Sequence, residues 1–529
     1  MSVCSVMRIN DDDKYAFKDF SFVKDLNLKA MFDFRRGAKF GEAEVRLEDY
    51  FTTDINVIRL RQEMFSELVG NPALYERLKN SFSALYELFE LQKVKSEAVS
   101  TEVLLFGTLE LETYVAYLDD VRDIFTNFDV KSELLQSLWE AVKPLCTGEE
   151  YEALKKKISE HAYTVKNIRS ITIGINLDPQ LRPLEAGVVS VNDRSFVSGN
   201  LLDRILRLDL KKDGYTCISP FYPMNRKLSD EEFTLMKVSV SSAINKVFTS
   251  AVSSWSNTVK NFVISSLREL APAVSEWRAV SACTDALLKL KQKGYPLCRA
   301  EFGGADKITG LYHPVLALLH SGMEGKRVVK NGLDFDGDAG IYILTGPNQG
   351  GKSIFTQAAG ILYAMLHLGL LLPADSAVVR PVDNILTHFT DDGHISYDHG
   401  RLSAECDRIY KINRIISENS LFLFDEALSS TNPAEAVAIS SEIIRAYAEI
   451  GARGIWTTHF YELHGLTEEP DNKSKICSLT AMIDKQSHER QFKIVRGGVI
   501  ENSYAKDLAK KYNLSKNEII KCAFEKTGN

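Results

Sequence analysis

The eight residues Gly346-Pro347-Asn348-Gln349-Gly350-Gly351-Lys352-Ser353 constrain this chain more than any other segment. They fit the pattern G-x-x-x-x-G-K-[ST], follow the strand-like run IYIL and precede the helix-like run IFTQAAGILYAMLHLG. In that context the segment reads as a phosphate-binding loop. Its glycines let backbone N–H groups wrap phosphate oxygens, and the helix N-terminus adds a favourable dipole. Lys352 is expected to bridge the β- and γ-phosphates of a nucleotide and Ser353 to ligate Mg2+. The same context explains the apolar run Ala358 to Leu372, broken by His367, as a helix buried against a sheet and not a membrane span.

Two further strand-like runs end in groups suited to that chemistry. Leu421-Phe422-Leu423-Phe424-Asp425-Glu426 finishes in two carboxylates: Asp425 suits the Mg2+ shell, and Glu426 suits polarising an attacking water. Alone, a strand ending in Asp-Glu is more often a solvated strand end; the upstream loop turns it into a catalytic pair. Gly454-Ile455-Trp456-Thr457-Thr458 leads into His459. A lone histidine is usually structural, but at a strand end in this domain it suits sensing the γ-phosphate. Three strand ends would then converge on one crevice, where open α/β sheets place their ligands. ATP hydrolysis is the expected chemistry.

The chain has 529 residues, 45% hydrophobic and 26% charged, which excludes collagen-like, disordered and disulfide-scaffold classes. The net charge of -7 shows no global basic surplus, although a local basic patch can still hold a phosphate backbone. Eight cysteines without a CxxC pair fit free thiols in a reducing compartment. The N-terminus has no apolar h-region, so a cytoplasmic protein without membrane association is expected. From about Leu47 to Lys166 apolar residues recur at three- and four-residue spacings with few glycines, as long helices require. From about Ile171 to Tyr222 short β-type runs (ITIGINLD, AGVVSVN) and turn residues take over, and a second helical block follows to Lys293. After Gly294, buried-strand runs alternate with helix-length segments, the habit of a parallel sheet flanked by helices.

The order of the motifs GPNQGGKS, DEALSSTNP and TTHFYEL resembles the MutS family, with its GPNMGGKST, DEIGRGTST and ATHYFEL-like segments. Tyr312-His313-Pro314-Val315-Leu316 resembles that family's RHPVL, and Val328-Val329-Lys330-Asn331 its VPN. Ser503-Tyr504-Ala505 with KDLAKKYNLSKNEII is similar to its SYG-containing tail, and VIRLRQEMFSELVGNPALYERL to its lever segment. The resemblance implies a multidomain fold: a mainly α-helical lever/core domain with a small β-containing insertion, followed by an α/β ABC-type P-loop ATPase domain. The implied divisions are an N-terminal segment 1–45, a lever/core domain 46–300 with its insertion at about 171–222, an ATPase domain 301–502 and a helical dimerisation tail 503–529.

The resemblance also extends the site. It implies ATP and Mg2+ as cofactors, held by Gly346, Pro347, Asn348, Gln349, Gly350, Gly351, Lys352 and Ser353, with Asn348 at the γ-phosphate and Asn331 beside the nucleotide. Glu426, Lys352 and His459 would carry catalysis, and Ser353 and Asp425 would hold the metal. Thr431 and Asn432 fall in the loop that reads the partner subunit's nucleotide, so a homodimer is implied. Gly400-Arg401-Leu402-Ser403-Ala404-Glu405 takes the place of the signature loop (STFM-x-E) that reaches across the dimer. Its Ser-Thr-Phe core is missing, and Ser403 is the candidate trans-acting hydroxyl. Val328 falls where relatives place an aromatic against adenine, which leaves base selectivity open.

Only about forty residues precede the lever-like segment, so a mismatch-reading domain is not expected, nor is an Smr-type nuclease domain after the tail. The tripeptide Phe-x-Glu occurs at Phe40, Phe65 and Phe460, and Phe65 sits at a helical core spacing. Arg204, Arg207, Lys211 and Lys212 form a short basic cluster diluted by Asp203, Asp209 and Asp213; a solvated face is the slightly favoured reading over a nucleic-acid contact. The expected function is an ATP-driven dimeric clamp on double-stranded or branched DNA in repair or recombination, without mismatch reading. The alternative is an ATP-gated factor acting on ribosomes or RNA.

Overall fold

A computed structural model describes residues 5–7, 17–32, 46–95, 100–149, 151–156, 158, 169–181, 183–195, 197–198, 216–217, 265–319, 328–337, 339–347, 350–389, 400–469, 475–483, 490–497, 512 and 514–525. The basic cluster Arg204, Arg207, Lys211 and Lys212, the loop residues Asn348 and Gln349, the tripeptide at Phe40, the tail residues Ser503-Tyr504-Ala505 and the second helical block before Ser265 lie outside the described residues.

Two short helices, α1 (Ser21–Asp25) and α2 (Leu28–Met31), precede a run of long ones: α3 (Ile55–Gly70), α4 (Pro72–Lys95), α5 (Ser100–Asn127) and α6 (Glu133–Cys146). Asp54 caps α3 by accepting the Asn56 N–H at 2.8 Å. Along α3 the apolar spacing delivers Ile58, Phe65 and Leu68 to the core with no exposed surface. Phe65 is thus a packing residue, and the Glu67 carboxylate two positions on accepts from the Lys131 and Ser132 N–H groups at the start of α6. A β-hairpin follows, β1 (Ser170–Leu177) with β2 (Pro183–Asn192), closed where Asp178 O accepts the Leu181 N–H at 2.9 Å. The short parallel pair β3 (Val197–Ser198) and β4 (Thr216–Cys217) comes next. Helix α7 (Ser265–Gln292) then returns to the bundle, where Trp277 stacks on Phe82 of α4 at 4.2 Å.

The remaining elements alternate. They run β5 (Ala300–Phe302), β6 (Asp306–Leu311), α8 (Pro314–Leu319), β7 (Asn331–Phe335), β8 (Ile341–Thr345), α9 (Lys352–His367) and β9 (Ser376–Val379). After these come β10 (Ile385–Phe389), α10 (Arg401–Asn413), β11 (Leu421–Asp425), α11 (Pro433–Ile450) and β12 (Arg453–Thr457). The series ends with β13 (Ile476–Ile483), β14 (Arg490–Arg496) and α12 (Lys516–Glu525). One sheet has the order β10-β11-β12-β8-β13-β14, parallel except for its last pair. Its central strands are buried on both faces. Tyr342, Leu344, Leu421, Leu423 and Ile455 face the core that includes α9. Ile341, Ile343, Phe422, Phe424 and Trp456 face a second core with Ile444 and Tyr447 of α11. This two-sided burial is why IYIL and LFLF read as continuous apolar runs and not as alternation. A second, four-stranded sheet, β5-β9-β6-β7, has strands too short and too half-exposed to stand out in the sequence. Buried Asp306 of β6 joins the two sheets, pairing with Arg453 of β12 and accepting the Arg380 N–H at 2.5 Å.

The segment around α1 is woven into this architecture. Phe17 and Phe22 pack against Phe51, and Phe17 meets the His367 ring edge-on at 4.9 Å. Asp25 pairs with Arg408 of α10 and accepts the Thr387 hydroxyl of β10. The helical bundle meets the α/β part through α3: Gln62 donates to Leu370 O at 2.9 Å and accepts the Ala300 N–H at 3.0 Å. Among the described residues, no helix is long and apolar enough to cross a membrane.

Two buried histidines make the α/β part sensitive to acid. His367 accepts the Val382 N–H at Nε2, 3.1 Å, which leaves Nδ1 to donate to Thr52 O at 2.7 Å. Burial pushes His367 down to about 4. Burial, helped by the neighbouring Arg408, does the same to His388. Both folded values lie below the usual 6.5, so their contribution to stability is complete above pH 6.5 and is lost as pH falls through about 4. The urea midpoint of the protein is therefore expected to fall between pH 6.5 and 4, and His388→Leu to make that fall shallower. Equal slopes in parent and variant would assign the loss to other groups.

Candidate nucleotide-binding site

The parallel register brings the sequence motifs to one edge of the sheet. Asp425 is paired with Thr457, and Thr457 with Leu344, so β11, β12 and β8 end side by side. Two backbone bonds continue the pattern beyond the strands: Glu426 N–H donates to Thr457 O at 2.9 Å and Thr458 N–H to Leu344 O at 3.0 Å. The loop after β8 turns into α9 through Gly346 and Gly351, whose φ values of +134° and +93° suit glycine. A Cβ on Gly346 would come within 2.9 Å of the Ala481 side chain, so the loop also needs glycine for space. Gly350 N–H donates back to Pro347 O at 3.1 Å, closing the turn.

Lys352 lies at the first position of α9 and is 4% exposed. Its ammonium donates to Gly346 O at 2.8 Å and Pro347 O at 3.2 Å, inside the curl of the loop. Burial holds its pKa below the ordinary lysine value, while Glu426 and Asp425 pull the other way. Asp425 is shifted in the opposite sense: burial raises its carboxyl, and a hydrogen bond from Ser353 partly offsets that. Asp425 Oδ1 is buried and has no partner among the described residues. A buried, half-satisfied carboxylate beside a hydroxyl is the donor set that a hard divalent cation takes, so Mg2+ fits here.

Glu426 is half-buried and stands at φ +52°, an uncommon conformation for a side chain with a Cβ, at the point where the chain leaves β11. Thr458 fixes the turn after β12, its hydroxyl accepting the Phe460 N–H at 3.0 Å, and the intervening His459 is exposed with its ring on Phe460. A buried bond of 2.8 Å between Thr356 and Thr457 ties the first turns of α9 to β12. Lys352, Ser353, Asp425, Glu426 and His459 thus gather at one edge, as the three strand endings suggested.

The outlying residues are placed differently. Thr431 donates to Glu435 at 2.9 Å and Asn432 caps α11 by accepting the Ala434 N–H, so both serve as a helix start in this chain. Ser403 is exposed in the first turn of α10, just beyond Gly400. Asn331 faces β14: its amide donates to Phe492 O at 3.2 Å and accepts the Ile494 N–H at 2.9 Å. Asn331 and Phe492 both line a cavity of about 300 Å³ that opens beside the P-loop at Gly351 and Ile354. Sequence patterning did not single out Phe492, because an aromatic within a strand-like run carries no signal of its own.

Part of the chain is similar to known proteins. The family model described as MutS domain V matches residues 342–529. Proteins named "Endonuclease MutS2" are similar over the same order of length. That of Staphylococcus epidermidis is 29% identical over 211 residues, 40% of this chain and 26% of the relative. That of Staphylococcus haemolyticus is 30% identical over 205 residues, 39% and 25%. That of Staphylococcus aureus is 30% identical over 211 residues, 40% and 28%. The matched region thus spans about a quarter of the length of these curated relatives. The domain V match encloses the P-loop, the Asp-Glu strand end and the Thr-Thr-His strand end, so this part of the chain is MutS-like.

Proposed function

We propose that this protein is a Mg2+-dependent ATPase whose nucleotide cycle drives a dimeric clamp on double-stranded or branched DNA. The observation that carries the ATPase reading is the Lys352, Ser353–Asp425 and Glu426 group on adjoining strand ends. Backbone N–H groups of the loop and the Lys352 ammonium hold the phosphates; Lys352 exchanges two carbonyl partners for phosphate oxygens, which relieves the cost of its burial. Ser353 and Asp425 would hold Mg2+, which supplies charge neutralisation on the β- and γ-phosphates when bound. Glu426 orients a water and accepts its proton, and His459 senses the γ-phosphate from the end of the neighbouring strand.

The clamp reading is supported by the likeness of residues 342–529 to MutS domain V and by the exposed positions of Ser403 and the loop around Thr431, which suit contact with a second copy. The helical bundle with its β-hairpin is the part that would grip DNA in repair or recombination. The relatives are named endonucleases, but strand cleavage is not assigned to this chain.

Glu426→Gln is expected to lower kcat by about 10²–10⁴-fold, the usual worth of a general base, with ATP affinity intact. Unchanged turnover would remove Glu426 from the mechanism. ATP with Mg2+ at one hundred times its Kd should stabilise the parent by about 2.7 kcal/mol, and Lys352→Met should abolish that gain. For the clamp, ATPase rate and anisotropy binding are measured with duplex, mismatched and four-way-junction DNA at two salt concentrations. A response to junction or duplex that weakens with salt and ignores mismatches supports the proposal. Indifference to every DNA, with co-sedimentation on ribosomes, would replace it.

A further inference from the structure

Helix α10 is attached to the α/β part along its C-terminal half. Its buried residues are Ile409 and Ile412, whereas every residue from Gly400 to Asp407 is exposed or half-buried. Ser403 therefore stands on a helix end that apolar packing does not fix. Where the buried half begins, Arg408 reaches Phe389 O only at 3.5 Å, and its second terminal nitrogen donates to Asp25 Oδ2. The Asp25 side chain is 11% exposed and that of Arg408 28%, so the pair is largely out of water. Such a pair is costly to break from one side, because the remaining charge is left uncompensated.

Asp25 reaches α10 from a segment with several anchors of its own. It ends α1, whose start is held by Asp19 accepting the Ser21 N–H at 3.0 Å and the Ser21 hydroxyl at 2.6 Å. Lys18 N–H donates to Asn384 Oδ1 at 2.9 Å, just before β10, and Thr387 of β10 donates to the same Asp25 oxygen that Arg408 takes. Leu26, next in the chain, lies so close to α9 that a Cβ on Gly360 would come within 2.8 Å of its Cδ2. Phe17 and Phe22 pack on Phe51, at the foot of α3. One short segment thus touches the helical bundle, the P-loop helix and α10.

We infer that Asp25 is a positioning residue: through Arg408 it sets the tilt of α10, and so the place where Ser403 meets the nucleotide held by a second copy. This rests on the ATPase and second-copy readings above, and goes further by making the N-terminal segment a regulator of the neighbouring subunit's site. Asp25 acts on rate by fixing a helix end, since a small misplacement of a group that completes a site lowers turnover more than it lowers binding. Nucleotide binding by the P-loop of its own subunit does not depend on it.

The test is steady-state ATP hydrolysis by the full chain carrying Asp25→Asn, which keeps the size of the side chain and an acceptor for Thr387, or Arg408→Gln, which breaks the pair from the other side. Each should lower kcat about tenfold with KM for ATP within about twofold, and the double variant should be no slower than either. Asp25→Asn is then mixed in equal amounts with Lys352→Met, which lacks a working P-loop. In dimers with one of each, the intact P-loop of one subunit is served by the intact Asp25–Arg408 pair of the other. The mixture should therefore turn over about fivefold faster than the mean of the two variants measured apart. If Asp25→Asn does not fold, Arg408→Gln takes its place in the mixture. Four results overturn the inference while the ATPase reading stands: parental kcat in both variants, a loss carried by KM, a mixture at the mean, or loss of the fold in both. Absence of hydrolysis by the parent would end the ATPase reading itself.

Discussion

Everything at the candidate site depends on the parallel register of β8, β12 and β11, which are buried on both faces. Side chains along each strand alternate between two cores, so a slip of one residue would exchange Leu421 and Leu423 with Phe422 and Phe424. Each core is filled to fit only one of these sets. The register that satisfies them is also the one that aligns Asp425 with Thr457 and Thr457 with Leu344. The geometry of the candidate site is therefore a by-product of apolar packing several residues away, and the polar groups inherit positions that they do not themselves fix.

The same packing sets the electrostatic condition of the site. Lys352 is held below its ordinary pKa and Asp425 above its own, and in each case burial is the leading cause. Charged forms are thus disfavoured at both positions, although each stands near a group of opposite sign. A polyanion and a divalent cation would supply what the surroundings withhold. A site built this way trades stability for readiness, as preorganised catalytic centres do.

Much of the α/β part was legible because its signals are local. The P-loop, the strand before it and the helix after it are contiguous, and two-sided burial leaves continuous apolar runs at IYIL and LFLF. Phe65 was legible as core from helical spacing alone. Other features depend on partners far along the chain. Asn331 and Phe492 are 161 positions apart, and no pattern in either neighbourhood announces their bond. Phe17 and Phe22 sit in a stretch too short for any period to show, yet they pack beside His367 and Phe51. The half-exposed strands of the second sheet escaped for the same reason that edge-like strands generally do: half-burial and shortness leave a weak pattern. Roles proposed to need a second copy, such as those of Ser403 and Thr431, have no intrachain signature at all.

One apolar cluster runs without a break from α3, α4, α5 and α7 into α9 and β8. A joint filled in this way cannot act as a loose pivot, since close-packed interiors resist shear until they switch as a whole. Motion at such a joint is instead carried along the helices that root in it. Helix α5 has 28 residues, so it is about 42 Å long, and a tilt of about 5° at its rooted end would swing its tip by about 4 Å. A small rotation at the joint is thus magnified into a displacement of several ångström, with leverage supplied by length alone.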